Sequence, residues 1–287
     1  MKETVFRIAL LIGLSTSLTV GAQNEKVTLR VPQFARPLVE RWIGEYQKTH
    51  EGIDFQFVAG NVQSHVGSLS LTTDDDGVFF ARYAVLPVTT HQSEAERQIG
   101  SRSLNDRKLK SLFFVQDDLD DEDDEQNSAK QGLHIYTGNS LLSASRLYAA
   151  HFKQETADYK GKKISGDDSF LNTAISRDPL GVTVNSLSNI FDLQSRLPKK
   201  GLSLLQLDID KQGRQVLKDG NLDDLIRLLE QEQYAEIPVG KVGFKYDPTD
   251  ARINDFVNWV LSAGTQYLHE YGFLQLPHKE SYLAITK

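Results

Sequence analysis

A serine-rich turn, Thr137–Ser143, is the part of this sequence best suited to bind a ligand. It lies between a short apolar strand and a helix predicted to begin at Ala144. The backbone N–H groups that open a helix have no partner inside it and carry the positive end of the helix dipole, so they bind anions. Ser143, Ala144 and Ser145 are therefore candidates to hold a tetrahedral oxyanion. The alternative is that Ser143 or Ser140 only caps the helix.

Two arginines could supply a charge opposite such an anion. Arg36 stands at the start of another predicted helix, and Arg82 lies inside the apolar run Val78–Val88. A guanidinium binds an oxyanion through two parallel N–H donors, which makes either residue a suitable partner. A structural or surface role is the alternative for both.

The adjacent carboxylates Asp167 and Asp168 could hold a metal ion. A helix is predicted over 169–176, directly after them, so we interpret one of the two as its cap. The seven histidines are scattered, and none pair at the spacing of a zinc site on one helix face. We expect no metal and no cofactor.

No motif of an enzyme is present. The chain has no cysteine, which excludes thiolate chemistry and disulfides, and it lacks a nucleophile elbow, a P-loop and a dinucleotide-binding glycine motif. The formal net charge is -7 and there is no basic stripe, which argues against a nucleic-acid partner. We therefore expect a binding protein without enzymatic activity.

The first 22 residues have the pattern of a secretory signal peptide. Lys2 and Arg7 precede an apolar run from Ile8 to Val20, and Val20-Gly21-Ala22 provides small residues before a cleavage site. The run is too short and too rich in hydroxyls to span a membrane comfortably. We predict cleavage before Gln23 and export to the periplasm, with an uncleaved anchor as the alternative.

The segment 117–125 contains eight carboxylates. Such a block repels itself, which predicts a solvated loop over about 117–130. A calcium loop is the alternative, but the spacing lacks its glycine turn and its distal glutamate.

Strand and helix patterns alternate along the remaining chain. Strands are predicted at 27–31, 53–58, 78–88, 133–136 and within 178–185; helices are predicted at 35–48, 104–114, 144–153, 169–176, 222–231 and from 256 onward, the last as one continuous helix. The first strand-helix-strand unit predicts a parallel pair with a right-handed crossover. The run 78–88 suits a buried strand, or two strands joined by a bend, and is a candidate for a crossing between two lobes. The fold class is α/β.

The order of these elements and the closing segment Phe256–Pro277 resemble the phosphate-type periplasmic substrate-binding proteins of ABC transporters. In that family a buried strand and then a short helix follow the first β-α unit, and here Tyr83–Val88 and Leu104–Phe114 are similar to them. The resemblance in layout extends over most of 27–277. It implies a two-lobed periplasmic-binding-protein-like fold (type II), with mixed sheets flanked by helices and a cleft between the lobes.

The resemblance also implies where the lobes and the ligand lie. Lobe 1 would comprise 24–86 plus 202–287, and lobe 2 would comprise 87–201. The family's first anion-binding loop falls on Pro32–Arg36, and its second-lobe arginine falls on Asn139. The implied ligand-binding residues are Gln33, Phe34, Ala35, Arg36, Arg82, Asn139, Ser140, Ser143, Ala144 and Ser145.

The implied function is capture of a small, phosphate-like oxyanion by a monomer that delivers it to the membrane permease of an ABC transporter. Because the loop Pro32–Arg36 has no hydroxyl and Asn139 has no charge, we expect binding of phosphate itself to be weak or absent. The alternative is a protein of the same fold whose pocket has changed or lost its ligand. Such a protein would serve as an interaction or sensory partner in the cell envelope.

Overall fold

The computed structural model describes residues 25–58, 67–100, 102–115 and 132–277. The predicted signal peptide, 1–22, and the predicted acidic loop, 117–130, lie outside the described residues. Within the described ranges, no helix is long and apolar enough to cross a membrane.

The described strands form one mixed sheet. They are β1 (Glu25–Arg30), β2 (Ile53–Phe57), β3 (Ser68–Thr72), β4 (Val78–Thr90), β5 (His134–Gly138), β6 (Lys162–Ile164), β7 (Gly181–Ser186), β8 (Leu202–Leu204) and β9 (Val239–Tyr246). Their order is β2-β1-β3-β9-β4-β7-β5-β6, and β8 also pairs with β4. β1 pairs in parallel with β2, which confirms the predicted strand-helix-strand unit.

β4 passes through both halves of the sheet. Its first part, Val78–Ala84, pairs with β9, and its second part, Val85–Thr90, pairs with β7 and β8. We call the half with β1, β2, β3 and β9 the first lobe, and the half with β5, β6, β7 and β8 the second lobe. The apolar run 78–88 thus forms the connecting strand, as predicted, while the lobe boundaries given above stay a prediction.

Helices cover the sheet. They are α1 (Arg36–Tyr46), α2 (Glu94–Ile99), α3 (Asp106–Phe113), α4 (Ala144–His151), α5 (Ser169–Ser176), α6 (Leu187–Ile190), α7 (Lys211–Asp219), α8 (Leu222–Gln231) and α9 (Ala251–Ser262), followed by 3-10 turns at Gly264–Tyr267 and His269–Tyr271. The bounds of α5 and α8 are those predicted from the sequence. The short strands β3, β6 and β8, the strand β9 and the helices α2, α6 and α7 were not predicted.

The prediction of one continuous closing helix is wrong. α9 ends at Ser262, and the chain continues as two 3-10 turns. The break lies where Gly264 packs against Trp42: its carbonyl accepts the indole N–H at 2.7 Å, and a Cβ at Gly264 would lie 2.9 Å from Nε1 of the ring. After the helix ends, the Gly264 carbonyl thus pairs with the buried indole, and glycine permits the close approach.

Each lobe has its own aromatic cluster. In the first lobe Trp42 packs against Phe80 and Phe244, with ring centroids 4.9 and 6.0 Å away. In the second lobe Tyr148 packs against Phe113 at 5.0 Å and Phe152 at 4.7 Å. Because buried rings remove large apolar areas from water, these clusters are a main source of stability in each half.

The hydroxyl of Tyr148 is buried and, within the described part of the chain, has no hydrogen-bond partner. An unpaired buried hydroxyl carries a desolvation penalty, so we expect Tyr148→Phe to raise the free energy of unfolding by about 1 kcal/mol. Tyr159→Phe is the matched control: the Tyr159 hydroxyl donates to the Ser145 carbonyl at 2.8 Å, and its loss should lower stability by about 1 kcal/mol. Urea denaturation measures both. Equal destabilisation by the two substitutions would contradict the expectation for Tyr148.

Candidate functional site

Three segments meet where the two lobes face each other. They are the β1–α1 loop of the first lobe, the β5–α4 turn of the second lobe, and the residues Gly166–Asp168 that precede α5, which we call the aspartate segment. The aspartate segment contacts both of the others through its carboxylates: Asp167 accepts the N–H of Gln33, and Asp168 accepts the N–H of Ala144. These contacts define the candidate site.

The start of α4 binds a carboxylate of the protein itself. Ser143 is the N-cap, and its hydroxyl accepts the N–H of Arg146 at 3.2 Å. Ala144 N–H donates to Oδ2 of Asp168 at 2.5 Å. Ser143 therefore caps the helix, which was one of the two roles considered for it from the sequence. A carboxylate also lies at the helix start. That anion is the side chain of Asp168.

Ser145 supports the turn and does not face the cleft. Its side chain is completely buried, and its hydroxyl accepts the N–H of Gly138 at 2.9 Å. Its carbonyl accepts the hydroxyl of Tyr159. Asn139 and Ser140 are exposed; the Asn139 side-chain amide donates to the Ser165 hydroxyl at 3.2 Å.

Asp168 is held in a buried, poorly solvated position. It is only 5% exposed, and its Oδ1 has no hydrogen-bond partner among the described residues. Burial raises the pKa of Asp168 to about 7, although the hydrogen bond from Ala144 acts in the opposite direction; the neighbouring charge of Asp167 adds to the rise. The carboxyl group of Asp168 therefore gains and loses its proton near neutral pH.

The surroundings of Asp168 are tightly built. The buried amide of Asn185 donates to the Asp168 backbone carbonyl at 2.8 Å and so fixes the aspartate segment against β7. A Cβ at Gly138 would collide with Oδ1 of Asp168, so glycine is needed there to admit the carboxylate. On β4, burial raises the pKa of Tyr83, and the charge of Asp168 contributes to the rise.

Asp167 connects the lobes. Its Oδ2 accepts the N–H of Gln33 at 3.1 Å, while its Oδ1 accepts the N–H of Ser169 at 2.8 Å. The predicted cap of α5 is thus confirmed for Asp167. For Asp168 it does not hold, because that carboxylate makes no hydrogen bond to its own helix.

The first-lobe loop is occupied by its own contacts. Phe34 is buried, and its ring stacks on Tyr83 at 5.3 Å and on Phe273 at 5.9 Å. Ala35 is fully buried, and its N–H donates to the Pro32 carbonyl at 3.0 Å. The backbone N–H of Gln33 is therefore the donor that this loop directs at the other lobe.

The two arginines proposed from the sequence have other partners. Arg36 pairs with Glu40 at 2.8 Å, and its guanidinium lies 4.5 Å from the centre of the Phe57 ring. Arg82 donates to the Gln275 carbonyl at 2.8 Å. The structure does not bring either guanidinium to Ala144. Ligand contact by the ten residues named from the sequence stays a prediction.

Sequence reasoning did not assign four residues to this site: Tyr83, Arg146 as an available cation, and the carboxylates Asp167 and Asp168, which it interpreted as helix caps. Arg146 lies in the first turn of α4, is exposed, and makes no ion pair within the described ranges. The carboxylates were noticed, but a carboxylate before a helix is usually its cap. Nothing in the sequence indicates that Asp168 reaches a residue 24 positions earlier.

Two surface cavities lie away from this site. One of about 520 Å³ is lined by Leu193, Arg196, Asp223 and His269 among others, and one of about 420 Å³ is lined by residues such as Tyr46, His50 and Asp255. Neither includes a ligand-binding residue named from the sequence. In the described parts of the chain, no group of three or more potential ligands could hold a metal ion.

Comparisons with known proteins define the fold. No protein-family model matches the sequence, and no curated protein matches it significantly. Among solved structures, one similar chain is a putative phosphate ABC transporter substrate-binding protein with bound phosphate from Clostridium perfringens (TM-score 0.58, 10% identity, 88% of this chain and 100% of that chain covered). Another is an ABC-type phosphate transport receptor from Vibrio cholerae (TM-score 0.51, 12% identity, 88% and 100% covered).

At these identities the similarity concerns the fold alone. The curled mixed sheet, flanked by helices and divided by β4, is the fold of periplasmic-binding-protein-like proteins. The predicted α/β, two-lobed fold class is therefore confirmed. The proteins that share it include substrate-binding components of ABC transporters.

The raised pKa of Asp168 has a consequence for stability. Since its pKa in the folded protein lies above its ordinary value of 3.8, the folded state holds this proton more firmly, and the free energy of unfolding falls as pH rises from about 4 to about 7. Asp168→Asn removes this contribution while keeping an acceptor for Ala144. We expect the variant to gain stability relative to the parent as pH rises from about 4 to about 7, by at most about 1.4 kcal/mol per pH unit. Chemical denaturation across this range measures it, and parallel pH profiles would contradict it.

Proposed function

We propose that this chain is an exported binding-fold protein in which Asp167 and Asp168 take the place of a solute. It would act in the cell envelope as an interaction or sensory partner and would have no enzymatic activity. The observation that carries the proposal is that the N–H groups of Gln33 and Ala144, one from each lobe, already donate to carboxylates of the protein.

The chemistry of these contacts supports the proposal. A bound oxyanion in such a cleft would need the donors at the start of α4, but the Ala144 N–H already donates to Asp168 and the Arg146 N–H donates to the Ser143 hydroxyl. An added anion beside Asp167 and Asp168 would also face the charge of Asp167 and, above about pH 7, that of Asp168. The pattern of Lys2, Arg7 and the following apolar run supports export.

A second candidate function is capture of a phosphate-like oxyanion for an ABC transporter permease. One observation favours it: Arg146 is exposed in the first turn of α4 and has no ion-pair partner in the described ranges. A guanidinium at that position could bind an anion bidentately. The fold shared with substrate-binding proteins is compatible with both functions.

Titration with inorganic oxyanions separates the two functions. Phosphate, sulfate and molybdate, each added to about 1 mM at matched ionic strength, should give no calorimetric heat of binding and no thermal shift, because the donors are already occupied. Phosphate binding with a Kd on the order of 1 μM would overturn the proposal and favour transport. In that case Arg146→Ala should weaken binding at least about tenfold, whereas the matched Arg36→Ala, whose guanidinium pairs with Glu40, should leave it unchanged.

A further inference from the structure

We propose that the aspartate segment is a pH-sensitive connection between the lobes. While Asp168 is protonated, its carboxyl group stays at the start of α4 and Asp167 stays bound to Gln33; ionisation of Asp168 favours release of both contacts. The inference rests on the proposed function, because it takes the protein's own carboxylates as the groups that join the lobes. It names the stimulus of the sensory role, which is the proton.

The first step is the poor solvation of the Asp168 carboxyl group. The residue is buried, its Oδ2 accepts the Ala144 N–H, and its Oδ1 has no hydrogen-bond partner among the described residues. A buried carboxylate is usually stabilised by a cation or by several donors. With this one donor in the described structure, the ionised form is disfavoured at the start of α4 and favoured in water.

The second step is that Asp167 and Asp168 leave their positions together. Gly138 lies so close to the carboxyl group of Asp168 that an added Cβ would collide with Oδ1. The side chain is therefore enclosed, and its release to water requires movement of the segment. The segment begins at Gly166, whose φ of 110° glycine adopts freely, which makes this residue a suitable pivot. Asp167 is the next residue in the chain, so it leaves Gln33 when Asp168 leaves the helix start.

The other charged and titratable groups near Asp168 come from several elements. They are Asp167 in the aspartate segment, Tyr83 on β4 and Tyr159 in the loop before β6. Burial raises the pKa of both tyrosines, so they stay neutral at neutral pH. The charge of Arg146 on α4 acts on Tyr83, where it lowers the pKa, and an arginine keeps this charge at neutral pH. Asp168 is thus the buried group of this set that changes its charge near neutral pH.

The direction of the pH effect follows from the two positions of Asp168. At the start of α4 burial raises its pKa to about 7, whereas in water the carboxyl group returns to its ordinary value of 3.8. The equilibrium constant for release therefore rises with pH from about 4 to about 7, by at most about tenfold per pH unit, and is constant above that range. The Asn185 amide holds the Asp168 carbonyl at 2.8 Å and opposes release, so the released form stays a minor one.

Amide hydrogen exchange of the parent protein, measured by NMR, tests the proposal because it detects minor open forms. Exchange of the Ala144 amide reports release of Asp168, and exchange of the Gln33 amide reports loss of the contact between the lobes. After correction for the intrinsic exchange rate at each pH, the protection of both amides should fall together from about pH 4 to about pH 7. The fall should level off where the Asp168 carboxyl carbon titrates. Protection of Gln33 that stays constant while Asp168 titrates would overturn the proposal.

Two further amides show whether the effect is local. Phe244 is buried on β9 between β3 and β4, so its amide exchanges through global unfolding and should be better protected than Gln33. Gly213 donates to the carboxylate of Asp210, the exposed N-cap of α7, and its protection should not follow the titration of Asp168. Equal protection of Gln33 and Phe244 at every pH would mean global unfolding and would contradict the proposal.

Asp168→Asn is the variant that removes the proton while it keeps an oxygen for the Ala144 N–H. In this variant the protection of Gln33 should lose its pH dependence. A fall that persists in the folded variant would overturn the role of Asp168. If the variant does not fold, the exchange profile of the parent decides by itself.

Repeating the parent measurement with about 1 mM phosphate separates this proposal from the proposed function. Constant protection of Gln33 with and without phosphate would refute the pH-sensitive connection and leave the proposed function intact. Protection of Gln33 and Ala144 that increases with phosphate, with a Kd on the order of 1 μM, would refute the proposed function. A fall with pH that phosphate does not change supports both.

Discussion

The hydrogen bond from the Ala144 N–H to the carboxylate of Asp168 is the interaction on which the account of this protein depends. It places a carboxylate at the start of α4, in a position where the residue is only 5% exposed to solvent. The charge is tolerated because the helix start supplies a donor and the positive end of a dipole. The raised pKa of Asp168 shows that this compensation is incomplete.

The topology of the sheet explains how the two aspartates reach two lobes at once. The carboxyl end of β5 leads into the turn before α4, the end of β1 leads into the loop before α1, and the aspartate segment follows β6 at the edge next to β5. Asn185 at the end of β7 fixes the backbone of Asp168. The arrangement agrees with the general tendency of α/β sheets to bind ligands beyond the carboxyl ends of their strands. In this chain the bound groups come from the protein.

The sequence was sufficient for elements with strong periodicity and insufficient for contacts between distant segments. The helix Leu222–Gln231 was predictable because its apolar residues follow a regular helical spacing, and the connecting strand β4 because its apolar run is long and nearly uninterrupted. The strand Val239–Tyr246 was missed because two glycines and two lysines interrupt its pattern. Phe34 was expected to belong to a ligand-binding loop, but stacking on Tyr83 and Phe273 buries it. The contact of Asp168 with Ala144 could not be predicted, since a carboxylate directly before a helix is equally consistent with a cap of that same helix.

A distance measurement between the lobes tests most directly whether the cleft is held together without a solute. Because the chain contains no cysteine, spin labels can be placed at two introduced cysteines alone, Gly44→Cys on α1 and Lys163→Cys on β6, both at exposed positions. The account predicts one narrow distance distribution in solute-free protein, unchanged by phosphate and broadened by Asp167→Ala, which removes the contact to Gln33. A broad or longer distribution in the parent that narrows when phosphate is added would contradict it.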